Sequence, residues 1–384
     1  MSNDPIPVPR RSVYRAVVSA LFFLAGLCFS SWASRIPTIQ QEMGLSEAGL
    51  GAVLLALPAG LMLSLPISGW LVARLGSRSI VIASALLLSV LLVGIGLSKS
   101  YVALIVCLFA FGFANNMLNI SMNTQAVGVE AMYRRTVMAS FHGLWSVAGF
   151  VGAAIGLVMI GNNISPFYHF LIIMVACWVI VALCFRYTLR EDVGKGEQRP
   201  VFVLPDKSLI YLGAIAFCSM ICEGTMFDWS GVYFRKVVLA EKAMIGAGYL
   251  AFMFTMAGSR FIADWFTTRF GFRRILQASG LLTCVGLLIA IIFPYPVPAT
   301  AGFFLVGMGV SSVVPLVYSE AGKTGVTSPG VALAAVSTIG YLGFLVGPPL
   351  VGFIAEATSL RVSFLLIAIM GLTIAIMGRV QKSF

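Results

Sequence analysis

The chain has 384 residues, of which 59% are hydrophobic and 10% charged, with a mean hydropathy of +0.99. Ordinary soluble domains carry about a quarter charged residues, so this composition excludes a water-soluble globule and describes a polytopic membrane protein. The net charge of +11 would suit nucleic acid, but the Lys and Arg sit in short connections between apolar runs, where they act as topology signals; no nucleic-acid partner is expected.

The start, to Arg15, is polar and Pro-rich, and a long apolar run follows. The run from Ala16 to Ala33 exceeds a signal-peptide core, so it is read as the first retained span. Hydropathy then predicts twelve spans, at about 16–36, 48–73, 79–98, 101–124, 136–161, 166–187, 208–234, 244–268, 274–293, 297–319, 330–355 and 360–379. The long polar interval 188–207 divides them, giving an N-terminal six-helix bundle over 1–187, a linker, and a second bundle over 208–384. With the N-terminus inside, the cytoplasmic side collects 18 of the 25 Lys and Arg. Both termini and the linker are therefore expected in the cytoplasm.

Span 4 carries Asn115, Asn119 and Asn123 at i, i+4, i+8, with Asn116 beside them. Each amide needs partners, which lipid does not supply, so this stripe is expected to face inward. It either binds a neutral polar solute or knits helices together. Span 5 adds His142, a candidate proton relay or a helix-helix bond, and Trp145. Span 7 holds Glu223 near its midpoint and Asp228-Trp229 beyond it. A carboxylate at that depth costs at least about 2.5 kcal/mol, so it faces a water-filled cavity, or it sits protonated or pairs with Arg260 of span 8 and merely holds two helices together. Arg260 and Asp264, at i, i+4, read as a structural pair.

The seven cysteines all lie in apolar runs, with no C-x-x-C and no accompanying His, which indicates neither disulfides nor a metal site. No cofactor is expected. There is no phosphate-binding loop and no nucleophile or paired-carboxylate signature, so an enzyme is not expected.

A repeat runs through the chain. Leu50-Gly51-Ala52 matches Ile245-Gly246-Ala247, Arg74-x-Gly-x-Arg78 matches Arg269-x-Gly-x-Arg273, and Gly112 matches Gly307, always at an offset of 195. Six spans separate the copies, so the halves share one orientation in the membrane.

The loop Gly69-Trp-Leu-Val-Ala-Arg74-Leu-Gly76-Ser-Arg78 resembles the signature loop of the major facilitator superfamily, G-x-x-x-D-R-x-G-x-R, with Ala73 where the family has aspartate and Thr268 at the matching place of the second copy. Ser31-Trp-Ala-Ser-Arg35-Ile-Pro37, Glu223-Gly-x-x-x-Asp228-Trp229 and Gly340-Tyr-Leu-Gly-Phe-Leu-Val-Gly-Pro-Pro349 resemble its bacterial MosC-like and YbjJ-like branch, distantly related to fucose permease. The resemblance covers essentially the whole chain. It implies an all-α membrane protein of twelve transmembrane helices in two pseudo-symmetric six-helix bundles, with spans 1, 4, 7 and 10 facing a central path.

On that basis the expected function is secondary active transport of a small polar, sugar-like or amino-sugar-like solute across the bacterial inner membrane by alternating access, driven by protons and carried out by a monomer. A drug or metabolite exporter is the second reading and a membrane sensor the third. Glu223 and His142 are the expected proton-coupling groups. Asn115, Asn116, Asn119, Trp145, Tyr341, Trp32 and Trp229 are the expected solute contacts, and Arg35 with Asp228 forms the expected gate. Arg74, Arg78, Arg260, Asp264, Arg269 and Arg273 are assigned structural or conformational roles.

Overall fold

The computed structural model of the protein describes residues 8–133, 137–192, 206–323 and 329–380, with the side chains of residues 8–10, 139, 264, 329, 330 and 380 excepted. Fourteen α-helices run through the described residues: α1 Val8–Glu42, α2 Glu47–Leu54, α3 Ala56–Leu75, α4 Ser77–Leu97, α5 Tyr101–Glu130, α6 Met138–Gly161, α7 Pro166–Cys184, α8 Lys207–Lys236, α9 Ala247–Phe270, α10 Phe272–Ile292, α11 Pro296–Val310, α12 Val313–Ala321, α13 Pro329–Ala357 and α14 Leu360–Val380. They contain twelve helical segments long and apolar enough to cross a bilayer, matching the twelve predicted spans. Two spans are discontinuous: α2 and α3 meet at Leu55, and α11 and α12 at Ser311-Ser312. Most of the predicted linker, residues 193–205, lies outside the described residues.

Local chemistry sets the helix starts. Ser46 and Ser100 accept the backbone N–H groups of Gly49 and Ala103 at 3.1 and 3.2 Å, and Pro166 occupies the first turn of α7, where its missing N–H costs nothing. Asp206 caps α8, and bonds from the Lys207 backbone N–H and then from Ser208 hold its carboxyl below the usual carboxylate range. The turns α3–α4 and α9–α10 pass through Gly76 and Gly271 at φ of 83° and 84°. A side chain is strained there, which accounts for glycine in both copies of the repeated loop.

By contact the chain divides into two compact units. One comprises Met1–Trp32, Ala56–Met159 and Asn163–Glu197; the other comprises Ala33–Leu55, Ile160–Asn162 and Gln198–Phe384. The units depart from chain order at the end of α1 and at α2, which pack with the second unit.

Small residues allow close helix packing inside each unit, where lipid leaves no hydrophobic drive between helices. In the first, a Cβ on Gly112 would collide with the Leu57 carbonyl; in the second, a Cβ on Gly307 would collide with the Phe252 carbonyl. Leu57 and Phe252 are also 195 residues apart. At Gly60 the chain backs onto the Phe109 carbonyl, and at the matching place Thr255 donates to the Phe304 carbonyl at 2.8 Å. The sequence repeat is thus a repeat of packing. The second unit adds an aromatic cluster in which Tyr233 stacks on Phe364 at 4.3 Å beside Phe303 and Phe234; each such pair contributes about 0.5–1.5 kcal/mol.

Candidate functional site

The acid in α8 is held within the second unit. Glu223 is 8% exposed, and its Oε1 lies 3.6 Å from Nη2 of Arg260 on α9. Gly340 and Gly343 let α13 lie close against α8: a Cβ at Gly343 would come within 2.6 Å of the Phe217 carbonyl. That approach places Tyr341 within electrostatic reach of Glu223, together with Tyr318 of α12. Four polar side chains from four helices therefore come together around Glu223, which sits near the midpoint of span 7: Tyr341 from inside span 11, Arg260 from the later part of span 8 and Tyr318 from the last turn of span 10. Sequence reasoning missed Tyr318, because nothing in its local pattern distinguishes it from an interfacial tyrosine.

Around this cluster α8 carries buried polar atoms with no hydrogen-bond partner within the protein: the Ser219, Thr225 and Ser230 hydroxyls and the Trp229 indole N–H. Such groups cost about 1–3 kcal/mol each when left unsatisfied. Trp229 is fully buried and Asp228 half-buried. The Trp32 indole N–H in the first unit is likewise buried without a protein partner.

In the first unit the amide stripe separates into different environments. Asn116 is buried and donates to the Ser64 hydroxyl at 2.7 Å, an interhelical bond between α5 and α3. Asn115 is half-buried and Asn119 exposed; the Asn119 carbonyl accepts from the Asn123 side chain at 2.8 Å. His142 is exposed, with its ring edge-on to Phe22 at 5.1 Å. Trp145 is half-buried and packs with Phe29 at 6.0 Å.

At the other end of α8, Arg35 is 1% exposed. The structure adds a connection there that the sequence did not suggest. Arg235 donates to the Pro37 carbonyl and, at 2.6 Å, to Gln40 Oε1. Gly231, one turn earlier on the same face, leaves room for the Pro37 ring. Lys236 pairs with Glu47, and Glu356 accepts the Ala48 N–H at 3.2 Å. These bonds tie α1 and α2 to α8 and α13 within one unit.

In the signature loop, Arg74 lies 5.1 Å over the Trp70 ring, and Arg78 donates to the Phe185 carbonyl at 3.1 Å. Asp192 accepts the Ser77 N–H at 2.8 Å and its hydroxyl too, capping α4. Gln125 pairs with both backbone groups of Leu189, at 3.0 and 2.7 Å, and donates to the Ser77 hydroxyl. Asp192 lies 115 residues from Ser77, so no local signal announced it. Arg269 is exposed and Arg273 half-buried; the side chain of Asp264 lies outside the described ones.

Twelve spans in two units, a buried polar cluster around Glu223 and a repeated glycine loop define a polytopic membrane carrier. A sequence profile of the Major Facilitator Superfamily matches residues 18–322 and 239–380, and the chain belongs to that superfamily. It is 34% identical over 358 residues to an uncharacterised MFS-type transporter of Yersinia pestis, covering 93% of each chain. It is 32% identical over 371 residues to the membrane protein MosC of Rhizobium meliloti, covering 96% of this chain and 90% of that one. Among solved structures, the nucleoside transporter NupG superimposes with a TM-score of 0.75 over 95% of this chain and 98% of its own at 13% identity, a likeness of fold.

Proposed function

We propose that this MFS transporter moves a small polar, sugar-like solute across the bacterial inner membrane by alternating access, with both termini in the cytoplasm, and that proton binding at Glu223 drives it. The observation that carries this reading is the mid-span meeting of Glu223 and Arg260 at 3.6 Å, with Tyr318 and Tyr341 in reach. A proton on Glu223 cancels the charge that attracts Arg260, so protonation and the packing of α8 against α9 are linked. A proton crossing the membrane supplies about 2.3 kcal/mol per 100 mV, enough for accumulation.

Asn119 and His142 support a wet path, since both are exposed inside spans where lipid contact would be costly. The unpartnered donors and acceptors on α8 and at Trp32 suit a neutral solute rich in hydroxyls, which offers both kinds of partner. Asn115, Asn119, Trp145, Trp32, Trp229 and Tyr341 are its assigned contacts. Asn116, already bonded to Ser64, orients the stripe. Arg35 and Asp228 are assigned to the gate beside Arg235.

The test begins with a thermal-shift screen of purified protein against sugars, inositols and amino sugars. A hit is then followed in proteoliposomes under an imposed pH gradient. Glu223→Gln is expected to abolish pH-driven uptake while sparing solute exchange. Full pH-driven uptake by that variant would remove Glu223 from the coupling mechanism.

A further inference from the structure

The first unit carries a groove of about 580 Å³ between α4 and α7, lined by Ile82, Leu86, Val175, Trp178, Val179, Val181, Ala182 and Phe185. Its walls present hydrocarbon and no acid. The one polar group there, the Trp178 indole N–H, is satisfied by the Ser89 hydroxyl at 3.1 Å. From Phe185 to Val175 the groove follows α7 for about 15 Å at 1.5 Å per residue, half of the ~30 Å hydrocarbon core of a bilayer. It therefore fits an acyl chain lying in one leaflet.

The interfacial end of the groove is positively charged. Phe185, its last lining residue, is flanked by two guanidinium groups: Arg78 donates to its carbonyl at 3.1 Å, and Arg186 lies 5.6 Å over its ring. Their position is fixed, because the segment after α7 is held by the pairing of Gln125 with Leu189 and by Asp192 on Ser77. Asp192, which accepts from Ser77 as the α4 cap, keeps its negative charge, so Arg78 and Arg186 against Asp192 leave this end net positive by one (2 − 1).

We propose that this groove is a binding site for an anionic phospholipid, the phosphate resting on Arg78 and Arg186 and one acyl chain filling the channel down to Val175. An anionic headgroup gains about 1 kcal/mol per basic residue near the surface, a preference of roughly fivefold for each guanidinium. The site is independent of which solute the carrier moves.

The test uses the purified full-length protein with phosphatidylglycerol or phosphatidylcholine of identical acyl chains. Native mass spectrometry reads the lipid retained, and the difference in unfolding temperature between the two lipids is measured within each protein. The wild type is expected to retain phosphatidylglycerol preferentially and to be stabilised by it beyond phosphatidylcholine. Arg186→Gln should lower that preference roughly fivefold. Ala182→Phe, which fills the groove from an exposed position, should remove retention of both lipids there. Equal effects of the two lipids on the wild type overturn the proposal. So does a phosphatidylglycerol preference that survives both substitutions, since the lipid then binds elsewhere.

Discussion

Replacing Arg260 by Met tests whether the ion pair at the centre of the second unit is an energetic unit. At 3.6 Å the attraction between opposite unit charges is about 4.6 kcal/mol at an effective dielectric of about 20. Removing one partner strands the other, which costs about 3–5 kcal/mol in a buried pair, whereas removing both is close to neutral. The Arg260 side chain keeps 23% of its exposure and that of Glu223 10%, so the loss in Arg260→Met should lie near 3 kcal/mol. Glu223→Gln should lose less, since the amide keeps the shape of the carboxylate and turns an oxygen dipole toward Arg260. The double variant should recover most of the loss, giving a coupling energy of about 3 kcal/mol. The cysteines supply the assay: six are buried and Cys107 half-buried, so a thiol-reactive dye reports unfolding in detergent. Losses that simply add in the double variant would show that the two side chains do not interact, and would remove the physical basis for linking Glu223 protonation to the packing of α9.

Two further outcomes follow from the packing. Arg235→Ala removes two charged-donor bonds to Pro37 and Gln40, each contributing about 1.5–3 kcal/mol; a cysteine placed at buried Ser34 should then react at least about tenfold faster with an impermeant maleimide, and unchanged labelling would show that Arg235 does not hold this end closed. Gly112→Val and Gly307→Val each drive a side chain into a facing carbonyl, so both should fail to yield folded protein in the membrane, while Gly69→Val, where a Cβ meets open space, should express normally.

Hydropathy and the repeat carried the fold, because a bilayer demands long apolar helices and repeated packing demands repeated glycines. All twelve spans were legible, as was the importance of Gly112 and Gly307. The breaks at Leu55 and at Ser311-Ser312 were not, since an interrupted helix keeps the same hydropathy as a continuous one. At the site, Glu223 stood out because charge inside lipid is costly, and its pairing with Arg260 was one of the readings left open beside a cavity-facing acid and a protonated one. Tyr318, Arg235 and Asp192 were invisible for a common reason: their partners lie on helices far away in sequence, at Glu223, Pro37 and Ser77. The amide stripe of α5 was visible as a pattern, yet nothing in its spacing separated Asn116, which is taken by Ser64, from Asn119, which is left exposed.

The carboxylate on the first turn of α4 has a practical bearing on dissecting the carrier. Because Asp192 belongs to the stretch that follows α7, an N-terminal fragment cut at Tyr187 would leave α4 uncapped and strip Gln125 of its two bonds to Leu189. Cut just past Asp192, the same fragment keeps both. Co-production of separately encoded halves, or insertion of an affinity handle between them, thus has a defined earliest junction at residue 193.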